Sequence, residues 1–139
     1  MERVISDLTY DLAQTSLREV NHFLHHGVTP KTQKITILNP DGAHNLAVGL
    51  DAAIYVEIMG HTGYYTASMN KLANITIFGN AGTGVAENMM SGQVHVKGFA
   101  SVSAGASAHG GLLIIDGDAS LRCGISLKGA DIVVGGSVG

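Results

Sequence analysis

From Ile54 to Gly139 the chain repeats itself every nineteen residues without a gap. Its rows read IYVEIMGHTGYYTASMNKL, ANITIFGNAGTGVAENMMS, GQVHVKGFASVSAGASAHG, GLLIIDGDASLRCGISLKG and the part-row ADIVVGGSVG. The seventh place of every row is glycine: Gly60, Gly79, Gly98, Gly117 and Gly136. The third place holds Val56, Ile75, Val94, Leu113 and Ile132, and the fifth holds Ile58, Ile77, Val96, Ile115 and Val134. A row of this length cannot bury its own apolar face and must stack on its neighbours, so the pattern predicts a solenoid. Aliphatic residues two apart predict a short strand that turns alternate side chains inward. The glycine that follows predicts a sharp corner at positive φ, where other residues are strained. Nineteen residues suffice for two or three short strands and their corners at about 3.3 Å per residue, but not for a strand and a long helix. A second short segment is expected at places thirteen to seventeen: Thr66 to Asn70, Val85 to Met89, Ala104 to Ala108 and Cys123 to Leu127. The architecture that fits is an all-β, single-stranded parallel β-helix. A leucine-rich repeat would need a leucine and asparagine pattern that these rows lack.

Composition agrees with a narrow aliphatic interior and many tight corners: 19 glycines, 45% hydrophobic residues, 14% charged residues and no tryptophan in 139 residues. That length reads as one domain, 1–139. A net charge of −3, with eight Lys and Arg and no basic run, argues against nucleic acid and anionic membranes as partners. The first residues, MERVISDLTYDL, have no apolar stretch of the kind a secretion signal needs. The longest strongly apolar run, Leu112 to Ile115, is too short to span a bilayer. A single cysteine, Cys123, forbids an internal disulfide and suits a reducing compartment. The expected location is cytoplasmic.

Ahead of the repeat the chain is less regular. Residues 1–14 read as an extended lead-in, with Val4, Leu8, Tyr10 and Leu12 spaced by two or four. Residues 15–27 read as a helix. Ser16 and Glu19 form a capping box, Leu17, Val20 and Leu24 share a face, and Gly27 stands where a left-handed C-cap would be. So short a helix needs a packing partner, and the open first coil is the obvious one, since a bare solenoid end is a sticky strand edge. After a polar connector from Thr29 to Lys34, residues 35–53 read as an irregular first coil. In it Ile35 to Leu38 is a strand, Asn39-Pro40-Asp41-Gly42 a turn, and His44 to Gly49 the return.

The helix TSLREVNHFLHHG, the following KITILNPDG, and coils such as GNAGTGVAENMMSG and GDASLRCGISLKG together resemble the GXGXG domain of the glutamate synthase large subunit. The resemblance is closest to the separate-chain type, the third subunit of N-methylglutamate synthase and of glutamate-synthase-like complexes. It covers about Asp11 to Gly139. The signature is incomplete in each coil, as in Gly82-Thr83-Gly84-Val85-Ala86 and Ala104-Gly105-Ala106. The β-helical subunit of formylmethanofuran dehydrogenase has similar coils and is the rival identity. The resemblance implies a right-handed β-helix with no catalytic, cofactor-binding or metal-binding residues of its own. Such a chain would brace a glutaminase-like subunit against an FMN and iron-sulfur synthase-like subunit in an oxidoreductase complex that makes glutamate or N-methylglutamate. Separate-chain members continue for several more coils, so the chain reads as a truncated member, with self-association through its uncapped last coil as a possible outcome.

Residue chemistry adds few candidates for a site. His22, His25 and His26 have a spacing that could bring two imidazoles to one metal, or could be a plain polar helix face. Cys123 could be a nucleophile or a small packing residue, its place being held by Thr66, Val85 and Ala104 in other rows. Gly79, Gly82 and Gly84 mimic a phosphate loop without a Walker lysine, which favours corner glycines. Candidate partner contacts are the cluster Tyr64, Tyr65, Met69, Met89 and Met90, the polar spot Glu87 and Asn88, and the apolar pair Ile114 and Val133. A self-standing ligand-binding β-helix is the competing reading. Its site would lie on a face bearing Glu87, His95 and His109.

Overall fold

The computed structural model describes residues 6–27 and 32–139. Seven strands form one parallel sheet in chain order: β1 Ser6–Asp11, β2 Thr32–Leu38, β3 Tyr55–Met59, β4 Asn74–Ile77, β5 Gln93–Val96, β6 Leu112–Ile115 and β7 Asp131–Val134. The single helix among the described residues, α1 Leu17–His26, lies between β1 and β2. Sequence neighbours are always sheet neighbours, so the chain winds steadily and each turn of the winding adds one strand. This is a parallel β-helix.

The register follows the aliphatic pattern. Ile35, Val56, Ile75, Val94, Leu113 and Ile132 are successive partners, and so are Ile37, Ile58, Ile77, Val96, Ile115 and Val134. From Ile35 to Leu113 and from Ile37 to Ile115 these side chains are buried, while Ile132 and Val134 in the last strand are half-buried. Parallel pairing sets each member about 4.8 Å from the next, so the interior is two stacked files of branched side chains with no space between rungs. A third file crosses the far side of the corner, where Thr62, Ala81, Ala100, Ala119 and Val138 pair as single parallel bridges.

Of the lead-in expected over residues 1–14, the first five lie outside the described residues, and the rest is more than extended chain. Within it β1 is a full rung, with Leu8 opposite Ile35 and Tyr10 opposite Ile37. Its coil is closed by α1. The N-cap Ser16 accepts the Glu19 N–H at 3.1 Å and donates its hydroxyl to the Glu19 carboxylate at 3.2 Å. Val20 and Leu24 are buried, and Asn21 clamps the next coil by donating to the Asn45 carbonyl (2.9 Å) and accepting from the Ala47 N–H (3.0 Å). Gly27 is not left-handed: its φ is −98° and its N–H simply continues the helix to the Phe23 carbonyl. A Cβ there would lie 2.2 Å from the Phe23 ring, so a larger residue would have to displace that ring.

The repeated glycines also have a different cause from the one the sequence suggests. Gly60 alone of the five has positive φ, at +148°. The others are needed for contact. A Cβ on Gly79 would sit 2.6 Å from the Gly60 carbonyl carbon, one on Gly117 2.9 Å from the Gly98 oxygen, and one on Gly136 2.2 Å from an Asp118 carboxylate oxygen. The backbones of successive coils touch at this corner, and any side chain would wedge them apart.

Left-handed backbone occurs instead around the second short segment expected at places thirteen to seventeen. Residues 64–69, 83–88, 102–107 and 121–126 are runs of turns. Positions two apart in each run have positive φ: Tyr65, Ala67 and Met69; Gly84, Ala86 and Asn88; Ser103, Gly105 and Ser107; Arg122, Gly124 and Ser126. Asn45, Ala47 and Gly49 begin the series. At successive left-handed positions the backbone donors point up and down the stack by turns. The Tyr65 N–H reaches forward to the Thr83 carbonyl (2.8 Å), that of Ala67 back to Leu46 (3.0 Å), and that of Met69 forward to Glu87 (2.8 Å). These intercoil bonds offset the strain of the left-handed conformation.

Candidate interaction surface

With the interior filled, chemistry can lie only on the outer walls. The turn wall and the sheet wall back onto each other across the core: a Cβ on Gly105 of the turn wall would strike the Leu113 and Ile132 side chains of the sheet wall. Their outward side chains therefore point to opposite sides of the molecule.

On the turn wall, Tyr64, Tyr65 and Met69 are all about half exposed, and so is Met90 in the link just beyond it. Tyr64 stacks on the His44 imidazole with ring centres 4.5 Å apart, and Tyr65 meets Tyr64 edge-on at 6.4 Å. The Tyr65 ring and the Glu87 carboxylate both lie over Gly84, occupying the space that a Cβ there would need. Asn88 is half-buried and left-handed, a conformation that asparagine tolerates better than most residues. Met89 does not belong to this surface. It is fully buried, because its place in the row faces inward, where Asn70 and Ala108 are buried too.

On the sheet wall, Glu57, Thr76, His95, Ile114 and Val133 form one outward file. Ile114 is half-buried and Val133 is 53% exposed. Lys34 pairs with Glu57 at 3.4 Å, and His95 Nε2 meets an Asp116 carboxylate oxygen at 2.8 Å. Sequence reasoning passed over Tyr55, Met59, Phe78 and Phe99, all large, apolar and exposed. Met59 and Phe78 stand at the sixth place, one step beyond the inward fifth, and strict alternation along the strand would have placed them outside. Lys97 covers one of them, its ammonium 5.9 Å from the Phe78 ring centre.

The remaining candidates separate. The His22 and His26 rings lie tilted at 44° with centres 4.7 Å apart, but His25 is turned to the Val48 carbonyl at 2.7 Å. Among the described residues no group of three His, Cys, Asp or Glu side chains could hold a metal ion. Burial pushes the Cys123 thiol up, away from the reactive thiolate. Glu87, on the turn wall, and His95, on the sheet wall, face opposite sides. His109 lies outside both runs, in the link that precedes β6. The three are not brought together into a pocket.

The fold and its walls define a class: a parallel β-helix whose recognisable chemistry lies in exposed side chains on its outside. The chain is 50% identical over 83 residues to protein GlxC of Rhizobium meliloti (strain 1021), covering 58% of this chain and 36% of GlxC. It therefore spans about a third of the length of that curated relative. No family model matches the chain, and no solved structure matches it. No helix among the described residues is long and apolar enough to cross a membrane.

Proposed function

We propose that the chain is a non-catalytic scaffold subunit of a cytoplasmic, glutamate-synthase-like complex that forms glutamate or N-methylglutamate. It would hold a glutaminase-like subunit against an FMN and iron-sulfur synthase-like subunit. The observation that carries the reading is the packed double file from Ile35 to Leu113 and from Ile37 to Ile115, which commits the interior to support. The GXGXG-like segments give the complex its identity, and we read the relative GlxC as a subunit of the same kind of system.

The half-exposed Tyr64, Tyr65, Met69 and Met90 are the partner contact this reading favours, since aromatic and thioether side chains are enriched in interface cores. The test is co-expression of the tagged chain with a glutaminase-like and an FMN synthase-like chain from the same organism. Both should co-purify at fixed stoichiometry. Tyr65→Ala combined with Met69→Glu should weaken that association at least tenfold, about 1.4 kcal/mol, with an unchanged circular dichroism spectrum. Turnover of glutamine, methylamine or glutamate by the isolated chain at enzyme-like rates, median about 10 per second, would overturn the proposal.

A further inference from the structure

At the corners beyond β3, β4 and β6, side chains of one coil accept hydrogen bonds from backbone N–H groups of the next. His61 Nδ1 accepts from Asn80 N–H at 2.9 Å, Asn80 Oδ1 from Phe99 N–H at 2.9 Å, and Asp118 Oδ1 from Ser137 N–H at 2.8 Å. One coil earlier, His44 Nδ1 accepts from Tyr64 N–H at 2.7 Å. Asparagine and aspartate can do this at any ordinary pH. An imidazole can do it only when neutral with its proton on Nε2, because the imidazolium carries N–H on both nitrogens and has no acceptor left. We propose that His44 and His61 form a pH-sensitive joint between the first coils of the solenoid, closed when both rings are neutral and opened by their protonation.

The surroundings favour opening over compensation. The coil below His61 carries two carboxylates, Asp41 in the same turn as His44 and Asp51 at the far end of that coil, and among the described residues neither imidazole is in an ion pair. The coil above His44 brings the Tyr64 and Tyr65 phenols and His61 itself to this corner, with Tyr55, Glu57 and Lys71 elsewhere along it, and the coil below carries Tyr10, Asp11, Arg18, Glu19 and the three helix histidines. The coil above His61 has no ionisable side chain from residue 74 to 83, and its one such group is Glu87 on the turn wall. Protonation would leave the Tyr64 and Asn80 amides facing N–H groups. Because the His44 ring also stacks on Tyr64, the aromatic corner would be the first surface to loosen, whatever that surface contacts.

The experiment is thermal unfolding of the full chain at about pH 7.5 and about pH 5.5, comparing wild type with His44→Asn, His61→Asn and the double variant. Asparagine is the chosen replacement because Asn80 already does this work in the next coil. On acidification the wild-type midpoint should fall further than that of the double variant, by roughly 3 °C per histidine. The other five histidines are common to both proteins and cancel. An equal fall in both would overturn the proposal. The wild type supplies a check that needs no variant to fold. In NMR the Tyr64 and Asn80 amide protons should shift along the titration curves of the His44 and His61 rings, and amides that stay still while the rings titrate would refute the joint.

Discussion

Ser103 and Arg122 stand at left-handed positions, φ +63° and +60°, where a β-carbon is unwelcome. An L-residue there costs about 1–2 kcal/mol, whereas glycine costs about 0.5–1 kcal/mol through the extra freedom of its unfolded chain. Ser103→Gly or Arg122→Gly should therefore stabilise the chain by about 0.5–1 kcal/mol, read as a higher urea midpoint at unchanged slope. The opposite holds at the repeated corner glycines. A Cβ on Gly98 would lie 2.0 Å from Asn80 Oδ1 and 2.8 Å from the Gly79 carbonyl oxygen, so Gly98→Ala should cost about 2–3 kcal/mol. A gain from that substitution would mean that the coils are not in backbone contact. These two cases show where the sequence misleads. Periodic glycine says that a side chain is forbidden, and it leaves open whether dihedral strain or a neighbour's backbone forbids it. The left-handed positions give no such sign, because alanine, serine, asparagine and even tyrosine occupy them.

Among the elements, α1 was the most legible, since its start is written locally in Ser16, Glu19 and the apolar face. What lies before it was harder to read. β1 has few residues to show alternation, and only its pairing with β2 makes a rung of the lead-in. The hinge between the two is Asp11, whose carboxylate accepts from the Asn39 side chain and the Ala13 N–H, both at 2.9 Å. The Asn39 bond first, then the Ala13 bond, holds its carboxyl below the usual carboxylate range. Both bonds favour the ionised form of the folded chain. Their stabilisation is complete above the ordinary carboxylate pKa and is lost as pH falls through the lowered folded value. Asp11→Asn should therefore flatten the acid limb of a stability-against-pH curve. If the limb keeps its full steepness in the variant, Asp11 does not tie the first rung to the second.

For the whole molecule, the constant register is the strongest constraint, and it was readable because each place in the row answers to a single environment. The inner files, the outward file of Glu57 to Val133 and the corner glycines all follow from the nineteen-residue interval. Offsets before Val56 differ: Leu8 faces Ile35, and Ile35 faces Val56. No periodic frame could have found those longer coils. If coils interact only with adjacent coils, deleting residues 73–91 should leave a folded, shorter molecule, because the third row then meets the first with every place in register. Its circular dichroism should retain the β signal and its unfolding should remain cooperative at a lower midpoint. A molten product would mean that this coil holds the others in place.

The fixed interval also decides where damage can be repaired. A side chain that grows in one rung presses on the residue nineteen positions earlier or later, as Ile75 presses on Val56 and Val94. Second-site suppressors of a core lesion should thus cluster at multiples of that distance along the chain, so that a genetic screen could trace the winding without any coordinates.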